Sequence, residues 1–264
     1  PIFPFHTWQP DTYVSAPTTG TMLLSGIMLK MGLFGLIRWV LPIVPAAVES
    51  WSWLAVGLAV VGVVYAALMA MAQTDFKRMA AYSSMSHVGL IAAAILTADA
   101  TAVEGATYQM ISHGVNAIGL FFIAEILQRR FAERGMDEMG GLAHVSRPFA
   151  IGFMVVMLGN VALPLTNGFV GEFLMLSGIY NYGAWNAAIA GLSVILGAVY
   201  MLNAYRKTTL GETSALSATF TPLTASEKTL LVIIGALVVI GGIYPTYLMD
   251  IAGPSLQTIL NKSF

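Results

Sequence analysis

The chain has 264 residues, of which 57% are hydrophobic and 9% are charged, and its mean hydropathy is +0.78. An ordinary soluble domain carries about 25% charged residues, so this composition excludes a water-soluble globular domain and predicts a polytopic membrane protein. The formal net charge of -1 excludes a basic nucleic-acid-binding surface, and the lack of cysteine excludes disulfides and thiolate-bound iron-sulfur clusters in this chain.

The N-terminal segment, "PIFPFHTWQPD", carries no long apolar run. It has no initiator methionine and no charged stretch ahead of an apolar region, so we expect no signal peptide in it. We expect the sequence to be a fragment that lacks an N-terminal part. His6 in this segment is interpreted as a loop residue, because no neighbouring residues complete a metal-binding pattern.

Seven membrane crossings follow in chain order, since apolar runs of about 20 residues recur along nearly the whole sequence. The runs are long and do not alternate, which favours helices over a β-barrel. The predicted fold is therefore an all-α polytopic membrane protein with a single transmembrane domain over residues 1–264. The predicted spans are 17–41, 52–73, 79–98, 104–127, 149–182, 185–205 and 227–248.

The fifth predicted span is too long for one straight crossing. Near its middle it carries Asn160, Pro164, Asn167, Gly168 and Gly171. It is therefore either one broken helix or two short crossings. Broken backbone at membrane depth is tolerated where it lines a cavity or is buried in protein, so the break indicates a transport site. A proline kink that only improves packing is the alternative.

The two topologies of the fifth span distribute the basic residues differently. With one crossing, nine Lys and Arg residues fall on one side of the membrane, and only Arg38 and Lys262 fall on the other. With two crossings, Arg206, Lys207 and Lys228 change sides and the distribution becomes six against five. Because cytoplasmic loops collect Lys and Arg, the charge bias favours one crossing. The nine residues are Lys77, Arg78, Arg129, Arg130, Arg134, Arg147, Arg206, Lys207 and Lys228.

This topology places the loops 74–78, 128–148 and 206–226 in the cytoplasm. The loop 128–148 is the most polar part of the chain and its charges are mixed. We expect it to be a solvated connection on the cytoplasmic surface.

Four ionisable residues fall well inside predicted spans: Lys30, His87, His113 and Glu172. The apparent cost of a lysine at the centre of a membrane helix is roughly 2.5–3.5 kcal/mol. Such residues avoid lipid by facing a bundle interior or a water-filled cavity, and they pair with one another or with polar groups. Four of them on four separate spans predict a proton relay across the middle of the bilayer.

Neighbouring polar residues extend this relay. Ser83 and Ser84 lie one helical turn before His87, and Asn116 lies three residues after His113. The alternative is structural: Lys30 and Glu172 neutralise each other in a salt bridge, and the histidines bond to polar neighbours. The sequence contains no phosphate-binding loop, no HExxH and no Cys/His cluster, so neither a conventional active site nor a metal site is expected.

Four strings in this order resemble a known family. They are "PFHTWQPDTYVSAPTTGTMLLSGIMLKMGLFGLIRW", "AQTDFKRMAAYSSMSHVGL", "QMISHGVNAIGLFF" and "LPLTNGFVGEFLML". Together they resemble the second half of the antiporter-like membrane subunits of respiratory complex I, of the chain M, or ND4, type. The resemblance covers residues 1 to about 208, and more weakly the last span.

The resemblance implies a fold of two inverted five-helix repeats, each with a broken helix, of which this chain supplies the second half. It also implies roles for the four buried residues. Lys30 matches the central lysine between two half-channels, His87 and His113 match relay histidines, and Glu172 matches the terminal carboxylate. The family's first broken helix and its upstream glutamate should precede residue 1.

The function implied is proton translocation in a bacterial inner-membrane NADH:quinone oxidoreductase. The chain would carry no cofactor, since FMN, iron-sulfur clusters and quinone would be held by partner subunits. Its partners would be other membrane subunits, including neighbouring antiporter-like ones, together with lipid and no nucleic acid. Alternatives are a subunit of a multi-subunit cation/proton antiporter, of a membrane-bound hydrogenase or formate-linked complex, or a structural membrane scaffold.

Overall fold

The computed structural model describes residues 1–131 and 135–263, and the regular elements in these ranges are helices. The α-helices that do not correspond to a predicted crossing are α1 (Trp8–Ser15), α6 (Leu142–Val145) and α11 (Thr246–Ser263). The main helices are α2 (Thr18–Ile43), α3 (Pro45–Met71), α4 (Phe76–Leu96), α5 (Ala100–Arg130), α7 (Arg147–Asn160), α8 (Asn167–Tyr182), α9 (Ala184–Thr209) and α10 (Ala225–Ile243).

The predicted all-α membrane fold is confirmed. Within the described ranges, six helices are long and apolar enough to cross a membrane: α2, α3, α4, α5, α9 and α10. The shorter apolar helix α7 and its continuation α8 form the remaining predicted crossing. Boundaries differ by several residues, and the last span ends at Ile243 rather than 248, because Tyr244 and Pro245 separate α10 from the unpredicted α11.

The break between α7 and α8 depends on unusual backbone. Ala162 and Leu165 have φ values of 59° and 75°, a left-handed conformation that costs an L-amino acid about 1–3 kcal/mol. Gly168 then lets the second helix pass close to the first, since a Cβ there would lie 2.2 Å from the carbonyl oxygen of Gly159. The predicted broken helix is present. Its helical hydrogen bonding is interrupted between Asn160 and Asn167.

Three loops meet on one face of the bundle, which we call the loop face: 72–75, the described part of 131–146, and 210–224. The amide of Met136 donates a hydrogen bond to the carbonyl of Thr74 at 2.9 Å. The amide of Gly141 donates one to the carbonyl of Leu210, also at 2.9 Å. On the opposite face, Asn181 donates to Asp99 at 3.2 Å. The broken helix therefore crosses once.

The connection before α7 is more deeply packed than expected. Arg134 and its two preceding residues lie outside the described ranges, as does the side chain of Lys262. In the described part, Phe131, Met136 and Leu142 are buried in the core. Arg130 forms a bidentate ion pair with Glu227, in which the two guanidinium nitrogens lie 2.9 and 2.7 Å from the two carboxylate oxygens. This ion pair ties α5 to α10, and the described part of the loop has a buried apolar side and exposed charged side chains.

The helices α4 and α5 form the centre of the bundle. Over their most apolar 18-residue windows, 89% of α4 and 78% of α5 is buried inside the protein, against 22–44% for the other candidate spans. Asp75 and Asp99 begin the two helices by accepting the amides of Arg78 and Ala102, both at 2.9 Å. The histidines in the middle of α4 and α5, His87 and His113, therefore lie away from lipid.

Candidate functional site

The structure buries all four predicted relay residues. Lys30 on α2 and His87 on α4 are each 9% exposed, His113 on α5 is 1% exposed, and Glu172 on α8 is 4% exposed. The central position of α4 and α5 places both histidines in the bundle interior. Glu172 lies in the second turn of α8, just after the break.

His87 contacts two of the other three residues. Its Nδ1 atom lies 3.1 Å from Oε1 of Glu172, and its ring centroid lies 5.2 Å from that of His113, at an interplanar angle of 41°. A separation of about 2.6–3.2 Å is within reach of direct proton transfer. The contact of His87 with Glu172 can therefore pass a proton directly, whereas the ring nitrogens of His113 have no hydrogen-bond partner among the described residues, so a proton step between the two rings needs a bridging water.

Gln109 is a further site residue that the sequence analysis missed. Its Nε2 atom donates a long hydrogen bond of 3.5 Å to Oε1 of Glu172, and the side chain is 1% exposed. Gln109 lies four residues before His113, so the two share one face of α5. That spacing is the signal that could have identified it.

Lys30 donates a hydrogen bond to the backbone carbonyl of Ser25. The segment Leu24–Met28 that leads to Lys30 is π-helical, a distortion often found at functional sites. Among the described residues, no carboxylate lies within ion-pair distance of Lys30. The alternative of a direct salt bridge between Lys30 and Glu172 does not describe this arrangement, because the ion-pair partner of Glu172 is His87.

Two contacts connect Lys30 to the histidines. The hydroxyls of Ser25 and Ser84 lie 3.1 Å apart, and Ser84 is one turn before His87 on α4. Gly114 provides the second contact, since a Cβ there would lie 2.9 Å from the carbonyl oxygen of Gly26 and 3.9 Å from Cε of Lys30. Glycine at this position lets α2 approach α5, so that the lysine stem passes beside the residue that follows His113.

A second polar branch approaches His87 from the break. The hydroxyls of Ser83 and Tyr200 lie 2.9 Å apart, and Nδ2 of Asn160 donates to the Ser83 hydroxyl at 3.2 Å. Ser83 is one turn before His87, and Tyr200 on α9 is buried. A tyrosine within an apolar span is typical of simple packing, so the sequence gives no signal for it.

Several buried polar atoms around the relay have no hydrogen-bond partner among the described residues. They are Nε2 of His87, both ring nitrogens of His113, Oε1 of Gln109, and Oδ1 of Asn116 and Asn167. Buried polar groups normally bond to protein or to ordered water. These atoms have the bonding capacity that a chain of proton-carrying waters can use.

Metal binding has little support at this cluster. In the described ranges, no three histidine or carboxylate side chains converge to hold an ion. His6, the other buried histidine, lies away from the relay. Its ring stacks on Phe3 and contacts Tyr65 edge-on, with ring centroids 5.3 and 5.0 Å away. Burial lowers the pKa of His6.

Known proteins are similar to this chain over most of its length. The family model described as "NADH:quinone oxidoreductase/Mrp antiporter, TM" matches residues 1–199. NADH-quinone oxidoreductase subunit M of Rickettsia prowazekii is 39% identical over 99% of this chain and 54% of its own length. Subunit M of Escherichia coli K12 is 35% identical over 98% of this chain and 51% of its own. The chain thus spans about half the length of these relatives.

Solved structures show the same fold. A chain of respiratory complex I from Thermus thermophilus with bound NADH is 29% identical and superposes with a TM-score of 0.94. The match covers 100% of this chain and 56% of that one. A chain of the Mrp complex from Dietzia has a TM-score of 0.89 at 16% identity, and covers 98% of this chain and 56% of that one. The second likeness shows the fold alone.

Proposed function

Because this chain belongs to the NADH:quinone oxidoreductase/Mrp antiporter family of transmembrane proteins, we propose that it acts as a proton-translocating membrane subunit of NADH:quinone oxidoreductase. The observation that carries this proposal is the contact of His87 with Glu172 at 3.1 Å, beside the ring of His113. These groups lie inside the bundle at a helix break, where a water-filled path through the membrane can reach them.

Protons pass in this account between Lys30, His113, His87 and Glu172. The stem of Lys30 passes beside the residue that follows His113, and the ring centroids of His87 and His113 lie 5.2 Å apart. Two unit charges about 4 Å apart interact by roughly 4 kcal/mol at an effective dielectric constant near 20, and the interaction weakens with distance. A protonated Lys30 therefore disfavours a proton on His113, and loss of the lysine proton favours one. His113 then passes its proton to His87 through a bridging water, and His87 passes one directly to Glu172.

Redox chemistry occurs elsewhere in this proposal. FMN, iron-sulfur clusters and quinone are held by partner subunits, and quinone reduction there changes the charge state of a neighbouring membrane subunit. That change reaches Lys30 and alters the proton affinity of each group along the relay, as coupled titrating sites require. The chain itself contributes the ordered groups and the surrounding low-dielectric helices.

We place the protein in a bacterial inner membrane, with the loop face toward the cytoplasm. Eight described Lys and Arg residues from the predicted set lie on or next to that face, which fits the accumulation of basic residues in cytoplasmic loops. Its partners are the other membrane subunits of the same complex, including antiporter-like neighbours. Subunit M proteins of NADH-quinone oxidoreductase are 34–40% identical to this chain, which favours complex I over a cation/proton antiporter.

The test is to purify the complete natural protein gently from its own membrane with its partners. We expect flavin and iron-sulfur absorbance together with NADH-dependent quinone reduction, and proton uptake into vesicles driven by that reduction. Partners without redox cofactors, combined with sodium-dependent proton exchange in vesicles, would identify a cation/proton antiporter instead. Hydrogen production would identify the hydrogenase alternative.

A further inference from the structure

Two adjoining cavities lie between α7 and α10, outside the relay. The first, of about 500 Å³, opens on the loop face and is lined by His144, Ser146, Arg147, Phe220 and Lys228, among others. The second, of about 460 Å³, is an apolar groove that runs on between the two helices. Pro148, Leu223 and Lys228 line both cavities, so the two form one continuous cleft.

The mouth of the cleft is positively charged. Arg147 and Lys228 are exposed there, and the residues that line both cavities include no Asp or Glu. Glu227, the acidic residue beside Lys228 in the sequence, is already paired with Arg130 at 2.7 Å. The mouth therefore presents two cations whose charge the cleft itself does not neutralise.

The groove below the mouth is apolar and reaches into the membrane. On α7 it runs from Pro148 to Val155, and on α10 it runs from Lys228 to Gly235. Seven residues of helix correspond to about 10 Å along the axis. Ile151 and Val232 are 59% and 69% exposed along it, at a depth where lipid chains surround the protein.

We propose that this cleft binds an anionic phospholipid of the surrounding bilayer. The phosphate lies between Arg147 and Lys228, and one acyl chain lies in the groove between α7 and α10. Basic pockets between membrane helices are known to take anionic headgroups in this way. Both helices start at the mouth, so their positive dipole ends also favour the phosphate. The lipid would brace α7, the first half of the broken helix, against α10.

The experiment uses the complete protein in its complex, reconstituted in nanodiscs that contain phosphatidylcholine and a trace of phosphatidylglycerol with a photoreactive group on one acyl chain. We expect labelling of peptides from α7 and α10. The Arg147→Gln/Lys228→Gln double variant should lose labelling roughly tenfold or more, since each basic residue near an anionic headgroup contributes a factor of about five. Arg206→Gln, which changes an exposed residue of the loop face outside the cleft, should label like the unchanged protein.

A third variant tests the groove separately from the charges. A Cβ at Gly235 meets only Val155, at 3.4 Å, so Gly235→Leu can fill the groove without a backbone clash. It should also abolish labelling, while excess inorganic phosphate should not compete. Equal labelling by a photoreactive phosphatidylcholine, competition by phosphate alone, or unchanged labelling in the double variant would each overturn the proposal. So would cross-linking of the cleft to a partner subunit in place of lipid.

Discussion

The Nδ1 atom of His87 lies 3.1 Å from Oε1 of Glu172, and the two side chains are only 10% and 5% exposed. Because α8 begins at the break, this contact joins the broken helix to the central helix α4. A separation of this size between a carboxylate and an imidazole is the geometry that direct proton transfer needs. The contact can therefore carry a proton between the broken helix and α4.

Lys30→Ala should reduce redox-driven proton pumping at least severalfold while the complex still assembles. The lysine stem passes beside the residue that follows His113, so loss of its charge removes the control of proton affinity at the start of the relay. The measurement is proton uptake into vesicles per quinone reduced. Lys30→Arg is the matched variant, since it keeps the positive charge but cannot release its proton, and it should also fail to pump. Normal pumping in Lys30→Arg would show that lysine deprotonation is not required.

Gly114→Ala should impair pumping through geometry alone. The added Cβ would lie 2.9 Å from the carbonyl oxygen of Gly26, so α2 must move away from α5 and carry Lys30 with it. Overpacking of this kind lowers the free energy of unfolding by about 1–3 kcal/mol. Gly191→Ala on α9 is the control, because nothing lies within 4 Å of its added Cβ. Equal pumping by the two variants would show that the separation of α2 and α5 is unimportant.

Tyr200→Phe should lower the pumping rate and change its pH dependence, with assembly retained. The substitution removes the hydroxyl that lies 2.9 Å from Ser83 and leaves the ring packing in place. We expect a stability loss of about 1 kcal/mol, the usual contribution of one hydrogen bond. Tyr180→Phe is the control, since that side chain is 64% exposed. A pH profile identical to that of the unchanged protein would place Tyr200 outside the proton path.

Lys77→Met should destabilise the protein more than it affects pumping. Lys77 is 3% exposed and donates to the carbonyls of Val14 and Ala16, at 3.3 and 2.7 Å, so it anchors the end of α1. Loss of hydrogen bonds from a charged group costs about 1.5–3 kcal/mol. Thermal unfolding of the complex should show this loss. Lys207→Met, which removes a partly exposed ion pair with Asp137, should cost about 1 kcal/mol or less.

The crossings were predictable because a helix that spans the bilayer needs about 20 apolar residues, so each crossing appears in the sequence as an apolar run of that length. The break was predictable as well. Asn160, Pro164 and Gly168 mark the break for a similar reason, since they favour backbone that a straight helix does not use. The short helix α1 and the terminal helix α11 were not predicted. Neither has an apolar run long enough to be recognised.

The meeting of side chains across helices could not be predicted from the sequence. Which face of α4 turns toward α8 depends on how the helices pack. No residue spacing in the sequence therefore indicates the contact of His87 with Glu172. Gln109 could have been found from its position one turn before His113, whereas Tyr200 could not. Lys77 was interpreted as a topology residue because it begins a span, and only the structure shows that it reaches back to α1.

The most direct measurement is redox-driven proton uptake into vesicles by the complete complex that carries Glu172→Gln. The amide keeps the shape of the side chain but cannot exchange a proton with His87, so pumping should fall by roughly 10²-fold or more while assembly is retained. Glu125→Gln is the control, because Glu125 pairs with the exposed Arg129 near the loop face, and it should pump normally. Normal pumping by the Glu172→Gln complex would contradict the relay.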